Sequence, residues 1–178
     1  MPASSSRSRA CSCAGTTSCS SSHANRRVWL AGCSFGPTGS WVTQQARNLG
    51  LDLADQGLRF LVRDRDGKYS GAFDEVFRSA SIRIVKTPVQ APQANAIAER
   101  FVRTVRGECL DWLLIANRRH LKRVLRIYVE HYNTHRPHRA LKLQPPQPHQ
   151  PPPAAAIGEI HRRDRLGGLI HEYYRAAA

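Results

Sequence analysis

The sequence predicts an α/β domain set in a basic frame. Short runs rich in β-branched and aromatic residues alternate with amphipathic helical segments from about residue 26 to residue 132. Cap and turn residues stand at most of the joints between them. The third observation is charge: 27 Lys and Arg against 13 Asp and Glu give a net +14. Residues 1–51 hold five Arg and no acid, residues 52–99 hold seven bases and seven acids, and residues 100–178 hold fifteen bases and six acids. A neutral middle between basic flanks suits a polyanion held against a central site. On charge alone, an Arg-rich or ribosome-associated chain fits equally well. The 178 residues suffice for one domain, which would bury about two-thirds of its surface if all of it folded.

Five cysteines, Cys11, Cys13, Cys19, Cys33 and Cys109, are odd in number and unevenly placed. They describe no disulfide framework, which favours a reduced, cytoplasmic setting. No apolar run reaches the roughly 18 residues of a membrane span. The first 25 residues lack the continuous apolar core of a signal peptide.

In chain order, residues 1–25 are dominated by Ser, Ala, Cys, Thr and Gly without period, and disorder is expected. Cys11, Cys13, Cys19 and His23 are zinc-ligand types, but without the paired spacing of a zinc knuckle. Arg27 to Cys33 reads as a strand, broken by Gly36-Pro37-Thr38-Gly39. Ser40 then caps a helix with Trp41, Val42, Ala46 and Leu49 on one side, and Gly50 supplies its stop. Leu58 to Arg63 is the next strand, and Asp64 and Asp66 sit just past its carboxyl end, where open α/β sheets place their chemistry.

Ser70 caps a short helix whose stripe is Phe73, Val76, Phe77 and Ala80. Ile82 to Lys86 alternates with period two and reads as a strand. Pro88 to Asn95 has two prolines and no period; with Gln90, Gln93 and Asn95 it is either a loop lying on a ligand or a plain surface connection. Ala96 to about Ile115 repeats apolar residues at three to four, with Ala98, Phe101 or Val102, Val105, Cys109 and Trp112 on the stripe and Glu99, Arg103 and Arg106 opposite. A second helix, Arg118 to Tyr132, buries Leu121, Val124, Leu125, Tyr128 and Tyr132 and exposes Lys122, Arg123 and Arg126. The run Tyr132 to His138 closes it, since Pro137 ends a helix at or before its own position. Residues 144–153 form an extended Pro/Gln stretch, and Leu166 to Tyr174 is expected to form one or two helical turns.

Asp64 and Glu99, on different elements, are hard oxygen donors suited to Mg2+ or Mn2+. Phosphodiester chemistry commonly uses two such ions about 4 Å apart. As an isolated pair, an Asp and a Glu are weak evidence.

The ordered phrases are more specific. Arg63-Asp64-Arg65-Asp66-Gly67-Lys68-Tyr69, Thr87-Pro88, Pro92-Gln93-Ala94-Asn95, Ala98-Glu99-Arg100-Phe101-Val102-Arg103-Thr104, His131-Tyr132-Asn133 and Arg136-Pro137-His138 succeed one another along the chain. From about Arg26 onward the chain resembles the catalytic core of retroviral-type integrases and bacterial insertion-sequence transposases. The resemblance implies a ribonuclease H-like fold and two aspartates and a glutamate that bind Mg2+. It also implies the joining of a DNA 3′ hydroxyl to a target phosphodiester. By position, Asp64 matches the second aspartate and Glu99 the glutamate. Thirty-four residues separate them, as the family's spacing requires, whereas Asp66 would leave thirty-two.

The resemblance further implies DNA contacts from Lys86, Gln93, Asn95, Arg100, Arg103, Arg106, Lys122 and Arg123. Its partners would be element ends and target DNA, with a homo-oligomer as the active form, in a bacterial, nucleoid-associated setting and not at a membrane. The departure from the family is upstream, because no acidic residue precedes Asp52. The expected architecture is therefore an incomplete core over residues 26–143, lacking the strand with the first aspartate and its neighbour. A leader (1–25) precedes it and a Pro-rich linker with a basic tail (144–178) succeeds it. Weak or absent metal binding and loss of catalysis are expected, leaving a DNA-binding remnant or a decayed gene product as the alternatives.

Overall fold

Thr38 starts the first helix: its carbonyl accepts the Val42 N–H at 2.9 Å, and its Oγ1 accepts the Trp41 N–H at 3.3 Å. In this computed structural model the described residues are 26–34, 36–56, 58–88, 96–148 and 159–175. The leader with its four zinc-type residues, and the segment containing Gln90, Gln93 and Asn95, lie outside them. Helix α1 spans Gly39–Asp55, so Ser40 falls in the first turn and the cap is two residues earlier than expected. Gly50 does not stop α1. It is buried in the helix, and a Cβ there would meet Val76 Cγ1 at 3.5 Å, an ordinary packing contact with α2.

Strand β1 (Phe60–Arg63) pairs in parallel with β2 (Arg83–Lys86), Phe60 opposite Arg83 and Arg63 opposite Lys86. Helix α2 (Gly71–Ser79) makes the crossover between them, capped as expected by Ser70, whose Oγ accepts the Phe73 N–H at 3.4 Å. Val42, Ala46, Leu53, Leu58, Leu61, Phe73, Phe77 and Ile82 form the core of this unit.

Residues 27–33, expected as a strand, join no ladder among the described residues. Their backbone is met by a side chain instead: Asn133 Oδ1 accepts the Val28 N–H at 2.9 Å, and Asn133 Nδ2 donates to the Val28 carbonyl at 2.8 Å. The strand-like alternation still serves packing. Val28, Leu30 and Cys33 face a second core, while Trp29 packs on the first. Gly32 lets α1 approach, since a Cβ there would lie 2.7 Å from Gln45 Oε1 and 3.1 Å from Trp41 Cζ2.

Helix α3 spans Ala96–Glu108 and stops short of the expected Ile115. Cys109 leaves helical geometry (φ −142°), a 3-10 turn comes next at Leu110–Trp112, and Trp112 is 72% exposed rather than on the apolar stripe. Its indole Nε1 donates back to the Gly107 carbonyl at 2.7 Å, satisfying a group the ended helix leaves open. Helix α4 (Arg118–Thr134) is capped by Asn117, whose Oδ1 accepts the His120 N–H at 2.9 Å. The stripe Leu121, Val124, Leu125, Tyr128 and Tyr132 is buried as its spacing requires.

The C-terminal segment is mostly strand, and of the expected helical turns only a 3-10 turn at Leu166–Gly168 forms. Strands β3 (Ile160–Arg165) and β4 (Ile170–Arg175) make an antiparallel hairpin around a turn with Gly167 and Gly168 at φ 71° and 90°. Two glycines at positive φ favour reversal over a helical turn. Ile170 then joins the second core with Val105, Cys109, Leu125 and Tyr128.

Candidate functional site

Asp64 comes directly after the last residue of β1, half-buried, and its Oδ1 accepts the Asp66 N–H at 3.0 Å. Asp66 in turn accepts the Lys68 N–H at 2.9 Å, with Lys68 Nζ 3.2 Å from its other oxygen. The Lys68 backbone and side-chain hydrogen bonds hold the Asp66 carboxyl below its usual range. Asp66 is thus committed to its own turn, while Asp64 sits at the strand end. Glu99 is exposed in the first turn of α3. Among the described residues, neither Asp64 nor Glu99 belongs to a group of three or more His, Cys, Asp or Glu placed to share a metal ion; the group of that kind lies elsewhere, at His131, His135 and Glu172. The donor chemistry of Asp64 and Glu99 suits Mg2+, but two carboxylates fall short of a two-ion centre.

The basic residues expected at DNA divide between helices. Arg100, Arg103 and Arg106 are exposed on α3, with Arg106 Nε 3.5 Å from Asp111 Oδ1. Lys122 and Arg123 are exposed on α4. Lys86 ends β2, 3.9 Å from Asp74 Oδ2. Lys122 and Arg126 also line a groove of about 300 Å³ with Arg27, Trp29, Glu130 and Asn133. Three cations against one acid make this groove a stretch of positive surface between α4 and residues 27–30.

Two polar clusters carry no local signal in the sequence. Arg63, whose place in a strand gives no sign of a partner, is buried and grips Asp74 with both arms, Nε to Oδ1 at 2.8 Å and Nη2 to Oδ2 at 2.7 Å. Those hydrogen bonds hold the Asp74 carboxyl below its usual range. At the end of α4, Arg136 donates through Nε and Nη2 to Glu108, which also accepts the Tyr128 hydroxyl at 2.6 Å. Burial opposes ionisation of Glu108, and the bonds from Arg136 and Tyr128 outweigh it, leaving the carboxyl below its ordinary value. Arg136 also lies over the Tyr132 ring at 5.5 Å, and His138 meets that ring edge-on at 4.7 Å. The run from Tyr132 to His138 is therefore a structural corner that ties α3, α4 and residues 27–30 together.

Residues 80–146 match the family described as Integrase core domain, from just after α2 through β2, α3, α4 and the corner. Glu99 lies inside the matched segment and Asp64 outside it. A search of curated proteins found no match. The mixed helix and strand architecture fits an α/β fold. The match over these residues supports an integrase or transposase core of ribonuclease H-like type. Such cores act on DNA for mobile elements and generally depend on a divalent metal. No described helix is long and apolar enough to cross a membrane.

Proposed function

We propose that this chain is the core of a mobile-element integrase or transposase that holds DNA on the exposed basic faces of α3 and α4. In the reaction of that class, Asp64 and Glu99 supply two of the three carboxylates for metal-dependent attack of a 3′ hydroxyl on a phosphodiester. The observation that carries the reading is the match over residues 80–146, with Glu99 on the first turn of a helix whose exposed side bears Arg100, Arg103 and Arg106. No acid precedes Asp52, and Asp52 and Asp55 lie in helix α1, so no strand upstream of β1 supplies the third carboxylate among these residues. Without it no metal-bound step is assigned, and the 178 residues alone bind DNA without joining strands. Element ends and target DNA in a bacterial nucleoid are the partners, and self-association belongs to the active assembly.

The purified chain, a labelled DNA end, a target duplex and Mg2+ or Mn2+ test both halves. Expected are DNA binding that weakens steeply with salt and no strand-transfer product. Strand transfer lost on Asp64→Asn or Glu99→Gln would overturn the non-catalytic half while upholding the two carboxylates. Affinity unchanged between low and high salt would overturn the DNA-binding half.

A further inference from the structure

The geometry points to a transition-metal site, suited to Zn2+, formed by His131 in the last turn of α4, His135 at its C-terminal cap and Glu172 of β4. The two histidines lie one helical turn apart, so both rings leave the same face of α4; their planes are 3° apart and their centroids 6.0 Å. His131 Nδ1 is 3.3 Å and His135 Nδ1 3.7 Å from the same oxygen, Glu172 Oε1. One ligand atom from each of the three residues falls within 4.8 Å of the others. A tetrahedral ion about 2.0–2.2 Å from each nitrogen and oxygen holds its ligands roughly 3.4 Å apart. Two of the three separations already have that size, and a small rotation of the half-buried imidazoles closes the third.

The carboxylate is built as a ligand rather than left on the surface. Glu172 is 2% exposed, and its second oxygen is held by Arg163 through Nη2 at 2.6 Å and Nε at 3.0 Å, with Arg165 Nη1 at 3.7 Å. Outer partners of this kind fix a ligating carboxylate and aim its other oxygen, here toward the imidazoles. The end of α4 adds the partial negative charge of its last carbonyls, which favours a cation. The two guanidinium groups oppose one and neutralise most of the carboxylate's charge. Affinity then rests on the imidazoles, which selects Zn2+ or a similar borderline ion over Mg2+. His135 Nδ1 also meets Thr134 Oγ1 at 2.7 Å, a contact the ion would replace. The bound ion would staple the hairpin to α4.

Titration of the full chain with Co2+, read by its visible spectrum, tests the site. Expected is one ion per chain with the bands of a tetrahedral nitrogen and oxygen site, no thiolate charge-transfer band, and displacement by Zn2+. His131→Asn or His135→Asn would weaken binding roughly tenfold or more. The triple change of Cys11, Cys13 and Cys19 to Ser would leave it unchanged. No bound Co2+, a thiolate band that the cysteine variant removes, or unchanged affinity in both histidine variants would overturn the site. X-ray absorption on the zinc-loaded natural chain needs no variant. Imidazole neighbours without sulfur uphold the assignment, and sulfur neighbours sink it.

Discussion

Asp74 is enclosed by three cations, Arg63 in a two-armed grip and Arg78 and Lys86 each at 3.9 Å. Removing the partner of a buried charge costs about 3–5 kcal/mol. The two remaining cations place Arg63→Ala near the lower end, about 3 kcal/mol, read as a fall in the urea midpoint at constant slope. The same pair sets a pH dependence. The Arg63 hydrogen bonds lower the folded-state pKa of Asp74, so the stabilisation is fully present above the ordinary carboxylate value of about 3.9. It is lost as pH falls below that value through the depressed one, and Arg63→Ala should flatten this acid limb in unfolding measured against pH. Cys109 makes a chemical prediction at the same scale. Burial, then the nearby Glu108 charge, pushes its thiol up to about 11. With Cys109 fully enclosed, iodoacetamide should modify it only as fast as the chain opens, whereas a thiol that reacted at the free-cysteine rate would contradict this packing.

Within elements, the informative residues are those that depart from what their type suggests. Gly50 reads as a helix stop from its type alone, yet α1 runs on through it to Asp55, with Gly50 buried opposite Val76. At 3.5 Å a methyl group makes an ordinary contact, so Gly50→Ala should stabilise the chain by about 0.5–1 kcal/mol, visible as a raised thermal midpoint. Asn133 works in the other direction. Its amide satisfies both polar groups of Val28, and Asn133→Ala would leave a buried donor and acceptor open, a loss of about 2–3 kcal/mol by chemical denaturation. The hairpin departs from the expected helical turns because Leu169, Ile170 and Tyr173 suit a short helix as well as a strand. Gly167 and Gly168 at positive φ decide for reversal.

At the scale of the molecule, two cores meet along residues 28–33, with α1, α2 and the parallel pair on one side and α3, α4 and the hairpin on the other. The charge respects this division, since the basic residues expected at DNA are concentrated on α3 and α4. Each phosphate contact contributes about 0.9 to the slope of log affinity against log salt. Lys122→Ala with Arg123→Ala should therefore reduce that slope by up to about 1.8 in fluorescence titrations of a duplex. An unchanged slope would remove α4 from the interface.

The sequence by itself determined the local features. Ser70 marked a cap, the three-to-four spacing marked the buried faces of α2 and α4, and period two marked β2, because each depends on neighbours a few residues away; the ordered phrases pointed to an integrase core through their succession along the chain. Only the tertiary structure decided which partner each segment found. Residues 27–33 had the composition of a strand, but a ladder needs another strand beside it, and among the described residues the Asn133 side chain takes that place. Glu172 carried no sign of its role, since its meeting with His131 and His135 spans about 40 residues and requires the hairpin to fold back on α4. The two histidines lay in a stretch read only as a family phrase and a helix end, and the carboxylate between them became visible only once packing had brought the ends of the chain's second core together.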